Sequence, residues 1–498
     1  MKHYKLLIST ALTLVFDYLF WNQSLGINAL VLFILITPIV LFFNKEAIAK
    51  KNVQITLVGT LVSALLVFLY GSTIASVSYL LSFTIFIGFV HQPALRTVYN
   101  SFLTSLLSLT KVIHNYIELF TTIENKKLKR LLSYIPLTLV PIIILIVFYW
   151  IFKFANPVFD DLSNRGWNLF WEYISMFFVN FSIQRFFFVL GALLLFTTIV
   201  FNRNISSLLG LEKNRLNDFF RTRKAPLKNK MRIEKFGILY KRFKNEYRIA
   251  LLMTAMINGL IAIINIIDIK WIWLNFDYAK AGNLSQFVHE GTYLLILSIF
   301  ISIGIILYFF RANINFLKNN STLKTLVYLW ILQNAILATS VAIRNYHYIH
   351  QNGLAYKRIG VIVFLSLVLV GLITLIVKIN YRKSSFYLFR INSWAIYFVI
   401  ILTSFFDWDM IIVKHNINHP NEVGIDMKFL LTLSDKTIYV LNQNKSKIIG
   451  EGHIDYKIQS YEAHINNRVA KFREEYPLKG WQSYTLAESN CFSNLIKK

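Results

Sequence analysis

The sequence predicts an all-α fold: a polytopic integral-membrane helical bundle of about eleven transmembrane helices, with a short-helix C-terminal extramembrane tail. Three observations carry this expectation. Hydrophobic residues make up 56% of the 498-residue chain and charged residues only 15%, against about 25% charged in average soluble proteins. Apolar runs close to the ~20 residues that cross a bilayer recur through the first 406 positions. The basic residues behind the +27 net charge collect in short stretches between those runs, as positive-inside topology requires.

The first run, LLISTALTLVFDYLF after MKHYK, lacks a small-x-small cleavage site and is soon followed by a second apolar run. It therefore reads as a retained helix over 5–23 rather than a signal peptide. Further spans are expected at 26–43, 54–71, 73–91, 131–152, 181–202, 248–269, 289–310, 323–342, 358–378 and 390–406. The stretch 97–120 is rich in Leu, Ser and Thr but carries Lys111, His114 and Glu118. It is rejected as a span because crossing there would export the loop 203–247, which has 13 basic against 4 acidic residues.

Loop charge orients the chain. The stretches 44–53, 92–130, 203–247, 311–322 and 379–389 are basic and fall inside, while 153–180 is close to neutral and falls outside. Arg344 and Lys357 in 343–357 are a blemish on this pattern. The predicted domains are N-terminal transmembrane helices (1–202), a basic cytoplasmic loop (203–247), C-terminal transmembrane helices (248–406) and the tail (407–498). The N-terminus is expected in the cytoplasm and the tail outside. The loop mixes basic with apolar residues at helical spacing, which suits a membrane-surface helix attracted to anionic lipid. No recognition motif accompanies the charge, so membrane lipids rather than nucleic acid are the expected partner.

Ionisable groups at membrane depth are costly, which singles out Asp17 late in the first span. Asp268 and Lys270 sit at a span end, where headgroups and water would satisfy them. His289 and Glu290 begin the eighth span beside Gly291; Tyr293 stands where an HExxH motif needs its second histidine. Arg344, His347 and His350 cluster after the ninth span, His347 and His350 being close enough in sequence to share a helical face. Asn258, Asn265 and Asn334 read as hydrogen-bonding groups between helices. Catalytic candidates are thus His289, Glu290 and Arg344; binding candidates are Asp17, Asn258, Asn265, His347, His350, His415 and His419. No cofactor or metal is expected: the single Cys491 allows neither an intrachain disulfide nor a cysteine cluster, and no nucleophile elbow, phosphate-binding loop or dinucleotide fingerprint is present.

After the last span, HNINHPNEVGIDMKFLLTLSDKTIYVL breaks at Pro420 and Gly424. Asp426 is placed to start a helix, with Phe429, Leu430 and Leu433 on one apolar face. A further helix is expected over 459–475, ending before Pro477. FVHEGTYLLILSIFISIGIILYFF at 287–310, NGLAYKRIGVIVF at 352–364, IIVKHNINH at 411–419, GIDMKFLLTLSD at 424–435 and GWQSYTLAES at 480–489 together resemble a bacterial family of multi-pass membrane proteins of unknown function, DUF4173, which is related to DUF4153. The resemblance covers roughly 200–498, and KTIYVL at 436–441 departs from the family pattern. It implies the bacterial inner membrane and a tail integral to the membrane domain, but brings no catalytic residue.

Three functions are compatible with these features. One is envelope organisation, sensing or partner binding without intrinsic chemistry, including a possible envelope protein partner. A second is a transporter or flippase, which needs the polar candidates to converge on a cavity. The third is a lipid- or glycan-modifying membrane enzyme, with Glu290 as base and Arg344 as anion clamp in a shared groove.

Overall fold

The computed structural model describes residues 2–121, 135–177, 182–201, 205–213, 215–218, 230–276, 284–310, 320–419, 425–446 and 458–497. Its secondary structure is helical apart from one isolated bridge between Asp218 and Lys383. In the first half, α1 (Lys2–Phe20), α2 (Ile27–Phe43), α3 (Lys51–Tyr70), α4 (Thr73–His91), α5 (Val98–Thr121) and α8 (Ile183–Val200) pack into one bundle. Between α5 and α8 lies a hairpin of α6 (Ile135–Ala155) and α7 (Pro157–Phe177), closed by a bond from Trp167 Nε1 to the Tyr149 hydroxyl. After the short α9 (Ser206–Lys213), the second half comprises α10 (Lys230–Asp268), α11 (Leu284–Phe309), α12 (Ser321–Asn352) and α13 (Tyr356–Asn380).

Each half has its own core. Ile36, Phe86, Phe89 and Phe196 centre the first, and Ile299, Phe310, Trp330 and Leu375 the second. Helix α14 (Ser385–Ser404) joins them, packing on α13 in one half and on α3, α4 and α5 in the other.

Among the described residues, seven helices are long and apolar enough to cross a membrane. The structure thus shows several of the about eleven spans expected. Helix α1 carries Lys5 and Asp17 within an otherwise apolar run, and Ile27–Phe43 is shorter than a full span. The loop 203–247 is not wholly a loop: from Lys230 the chain is already helical and runs unbroken through 247 to Asp268, then widens into a π segment over Ile269–Leu274. Nothing between those positions, neither proline nor a cap, would stop a helix.

Helix α5 occupies the stretch that charge argued out of the membrane. Its Ser and Thr residues recur on one face and are buried: Ser101, Thr104 and Ser108 are 0%, 0% and 3% exposed. Ser101 Oγ donates to Ile85 O at 2.6 Å and Ser105 Oγ to Thr84 O at 2.6 Å, so α5 runs back antiparallel along α4. Small side chains let the two backbones approach, as helix pairs in lipid require. A Cβ on Gly88 would collide with the carbonyl oxygen of Ser101. Gly88→Leu is therefore expected to destabilise the detergent-solubilised protein by about 1–3 kcal/mol, the usual penalty of overpacking; thermal melting beside Gly210→Leu, where a Cβ meets open space, checks it.

Candidate functional site

The sequence candidates fall on three separate places, and His289 and Glu290 lie outside the described side chains. At the tail end of the first half, Asp17 sits on the last turn of α1, facing the start of α8. Arg185 Nη2 donates to Asp17 Oδ2 at 2.5 Å and Nε lies 3.1 Å from both carboxylate oxygens. This forked pair fixes α1 against α8 and uses the carboxylate fully. Asp17 is thus a helix-pairing residue.

In the second half, α10 and α12 share a polar seam. Asn258 Nδ2 donates to Leu326 O at 2.9 Å and Asn265 Nδ2 to Gln333 O at 3.1 Å. Both helices advance by seven residues between these bonds, so they run parallel in heptad register. About two turns further, Trp273 Nε1 donates to Ser340 Oγ at 3.0 Å, and His347 Nε2 lies 3.1 Å from Ile272 O with its ring stacked on Phe276. Asn334, expected to pair helices, donates instead to Trp330 O of its own helix.

Asp268 corrects the reading of a span-end residue bathed by headgroups. It is 3% exposed and accepts from Arg344 Nη2 at 2.6 Å. The helix widens into the π segment immediately after it, over Ile269–Leu274. The same pair accounts for one half of the topological blemish, since Arg344 lies on the last turns of α12, itself 9% exposed, with its charge balanced, while Lys357 stays exposed at the start of α13. A signal was present in the sequence, a lone Asp after NGLIAIINII, but position at a helix end masked it.

His350 neighbours Tyr346, at 6.4 Å between ring centroids. His289 and Glu290 lie on the first turns of α11, with side chains outside the described residues. Arg344, proposed as an anion clamp, is bonded to Asp268.

The tail closes one end of the bundle. Helices α15 (Trp408–Asn418), α16 (Met427–Leu430), α17 (Ile438–Gln443), α18 (Ile458–Glu475) and α19 (Leu486–Ile496) share a core of Ile412, Leu430, Ile438, Ile465 and Leu495, to which Ile359 of α13 contributes. Asp426 accepts from Phe429 N at 3.0 Å, the expected cap. Cys491 is 3% exposed, and burial pushes its thiol up to about 11, which leaves it inert at neutral pH.

Sequence reading missed the residue at the centre of this closure. Lys436, in the KTIYVL departure, is only 2% exposed. Its ammonium lies 2.8 Å from Asp407 and 3.4 Å from Asp409, and donates to Tyr70 O at the end of α3 at 3.0 Å. Asp409 also accepts from the Tyr356 hydroxyl at 2.6 Å and Ser434 Oγ at 2.7 Å. One cluster thus joins α3 of the first half, α13 of the second and the tail. Two further contacts repeat the pattern. Asn416 exchanges bonds with the backbone of Leu354 at 2.6 and 3.0 Å. Around 480–485, Tyr484 O accepts from Ile27 N at 3.0 Å, Ser483 Oγ donates to Gln23 at 2.7 Å, and a Cβ on Gly26 would strike Tyr484 O at 2.6 Å.

The opposite end has a smaller tie. Glu212, on α9, is 1% exposed and accepts from Thr97 Oγ1, Asn100 Nδ2 and Arg96 N at 2.5–2.7 Å. Six residues on, Asp218 pairs with Lys383 at 2.5 Å and Leu216 O accepts from Ser384 Oγ at 2.6 Å. The segment 206–218 therefore also bridges the two halves.

His415, half-buried on α15, and His419, exposed at its C-cap, have rings 4.8 Å apart. Their closeness is a repulsion when both are charged. Among the described residues no three His, Cys, Asp or Glu side chains gather to hold a metal.

This architecture defines an all-α, membrane-embedded helical protein with several long apolar helices. The chain belongs to the family described as Domain of unknown function (DUF4153), whose model matches residues 6–444. The match starts in α1, well before the part the resemblance covered, and stops after α17, so α18 and α19 lie beyond it. No curated protein and no solved structure matches the chain.

Two outcomes follow from the charged groups. Asp268→Asn or Arg344→Met alone should destabilise the protein by about 3–5 kcal/mol, since each strands a buried charge or donor, while the double change should recover much of the loss; melting of the four proteins tests this. Burial, and then the neighbouring His419, hold His415 below its ordinary value of 6.5. A histidine with a lowered folded value opposes protonation, so its contribution to stability is whole above about 6.5 and is lost as pH falls below it. Protease sensitivity of the tail should accordingly rise on acidification through that value, and His415→Gln should flatten the rise.

Proposed function

We propose that the protein is a structural and partner-binding component of the bacterial envelope, without intrinsic chemistry, lodged in the cytoplasmic membrane with the N-terminus and basic loop inside and the tail outside. Narrower membership in DUF4173 is part of this proposal and rests on the motifs quoted from the tail half. The observation that supports the functional reading is the use made of the candidate polar groups. Asp17 and Arg344 are each held in an ion pair, one in each half, and Asn258 and Asn265 are bonded to the neighbouring helix. A transporter needs such groups around a shared cavity, and a membrane enzyme needs them on a common groove. A tail fastened to both halves instead offers a rigid external face tied to a basic internal one.

Recovery of cross-linked neighbours from intact membranes, followed by mass spectrometry, tests the reading. A reproducible envelope protein partner is expected, and it should be lost from Gly26→Val protein, whose tail contact at Tyr484 is blocked, while the membrane domain still melts at its usual temperature. Recovery of the same neighbours in proportion to their abundance, with and without that change, would overturn it.

A further inference from the structure

The tail segment that ends in Thr485 lies across two turns that join helices of the first half. Between α1 and α2, Ser24 N donates to Ser483 Oγ at 2.9 Å and Ile27 N to Tyr484 O at 3.0 Å. Between α3 and α4 only Gly71 and Ser72 intervene. Thr485 covers that turn so closely that a Cβ on Gly71 would meet its Cγ2 at 2.9 Å. Tyr484 sets its ring 6.0 Å from that of Phe68, near the end of α3. Helices α3 and α4 are each long and apolar enough to cross a membrane, so the two-residue turn between them lies at the edge of the hydrocarbon. The ends of these two helices fix the depth of the tail segment, on whichever side of the membrane the tail lies.

Polarity is inverted in this segment. Gln482 and Ser483 are buried, and they spend their side chains on protein: Ser483 Oγ donates to Gln23 Oε1 at 2.7 Å and Gln482 Nε2 to Tyr18 O at 3.4 Å. Leu478 and Trp481, by contrast, are 84% and 50% exposed. Water favours the opposite arrangement. The boundary of a bilayer favours this one, because an indole ring settles at headgroup level. We propose that Leu478 and Trp481 insert into that boundary and make residues 476–485 a lipid anchor for the tail.

The surface around the pair selects lipid as its partner. On α1, Leu7, Leu14 and Tyr18 are exposed along one face, and the Trp481 ring continues that stripe, 6.4 Å from the ring of Tyr18. A protein docked on Trp481 would have to displace the lipid that covers the stripe. The recognition is of the interface and not of headgroup charge. Lys479 stands next to Leu478, and its ammonium lies 3.0 and 2.9 Å from the two carboxylate oxygens of Glu488, which balances its charge. The backbone suits a site where water is scarce. Two short 3₁₀ turns, Tyr476–Leu478 and Trp481–Ser483, close it locally: Lys479 N donates to Tyr476 O, Ser483 N to Gly480 O and Tyr484 N to Trp481 O, at 3.1–3.2 Å.

The anchor goes beyond the partner-binding reading and does not rest on it. Spin labels on the full chain in phosphatidylcholine vesicles test it, with the buried Cys491 left in place. Leu478→Cys and Trp481→Cys report on the anchor. Leu14→Cys supplies a lipid-facing reference and Glu474→Cys, exposed on α18, a water-facing one. Power saturation is read with oxygen, which concentrates in hydrocarbon, and with a water-soluble nickel chelate. Labels at 478 and 481 are expected to lose chelate access relative to the label at 474 and to approach the label at 14 in oxygen access. Chelate access equal to that at 474 would place the segment in water and overturn the proposal. Loss of access to both reagents would overturn it in favour of a covering protein. Melting curves identify a variant that fails to fold, and the side chain of Leu478 is exposed enough for Leu478→Cys to decide alone.

Discussion

The arrangement of this protein depends on one buried cation. Lys436 is enclosed between Asp407 and Asp409 and reaches the carbonyl that ends α3. Removing an ammonium from water costs several kcal/mol, which close carboxylates and further hydrogen bonds must offset. Here they do: Asp409 has Tyr356 and Ser434 as additional donors, and Asp407 caps Met410 N. Because the donors come from the second half and the tail, while the Tyr70 carbonyl comes from the first, the cluster is satisfied only when all three are in register. Its contribution is as much to geometry as to stability, since apolar contact in a bilayer carries little directional information.

The same constraint explains the polar seam between α10 and α12. Lipid tails are as apolar as leucine, so helices in a bilayer gain little from hiding apolar surface against each other. Hydrogen bonds and ion pairs then set partner and register. Asn258 and Asn265, one heptad apart, fix α10 on α12, and Asp268 with Arg344 closes the seam where the π segment widens the helix. On the other half, the Ser and Thr face of α5 and the Asp17–Arg185 fork do this work.

Much of this was legible in the sequence, and the omissions have physical causes. Helical class and membrane embedding follow from composition, and the Asp426 cap and the helix at 458–475 follow from local rules acting over one turn. Loop charge, read along the chain, argued against 97–120 as a span, while the burial of α5 depends on which face of Ser and Thr meets α4. Asp268 escaped because its partner lies 76 positions away, and Lys436 because a lysine among apolar residues looks solvated until two aspartates fold onto it. The histidines drew attention through their rarity, yet His347 is held by a backbone carbonyl and Phe276. Long-range pairing, not residue type, decided each case.

Ties at the two ends and openness in the middle belong to one design. The tail cluster and the 206–218 segment hold the halves together at the membrane surfaces, where water competes and charged pairs are needed. Between them α14 packs on both halves. A crevice between soluble domains would close to exclude water. A crevice within a bilayer meets no such drive, because hydrocarbon fills it without penalty. The spacing of the halves is therefore set from the ends, and the apolar groove lined by α4, α5, α11, α13 and α14 follows from where the polar ties are placed. Any change that loosens the Lys436 cluster should act on the groove through this spacing, with no contact between them.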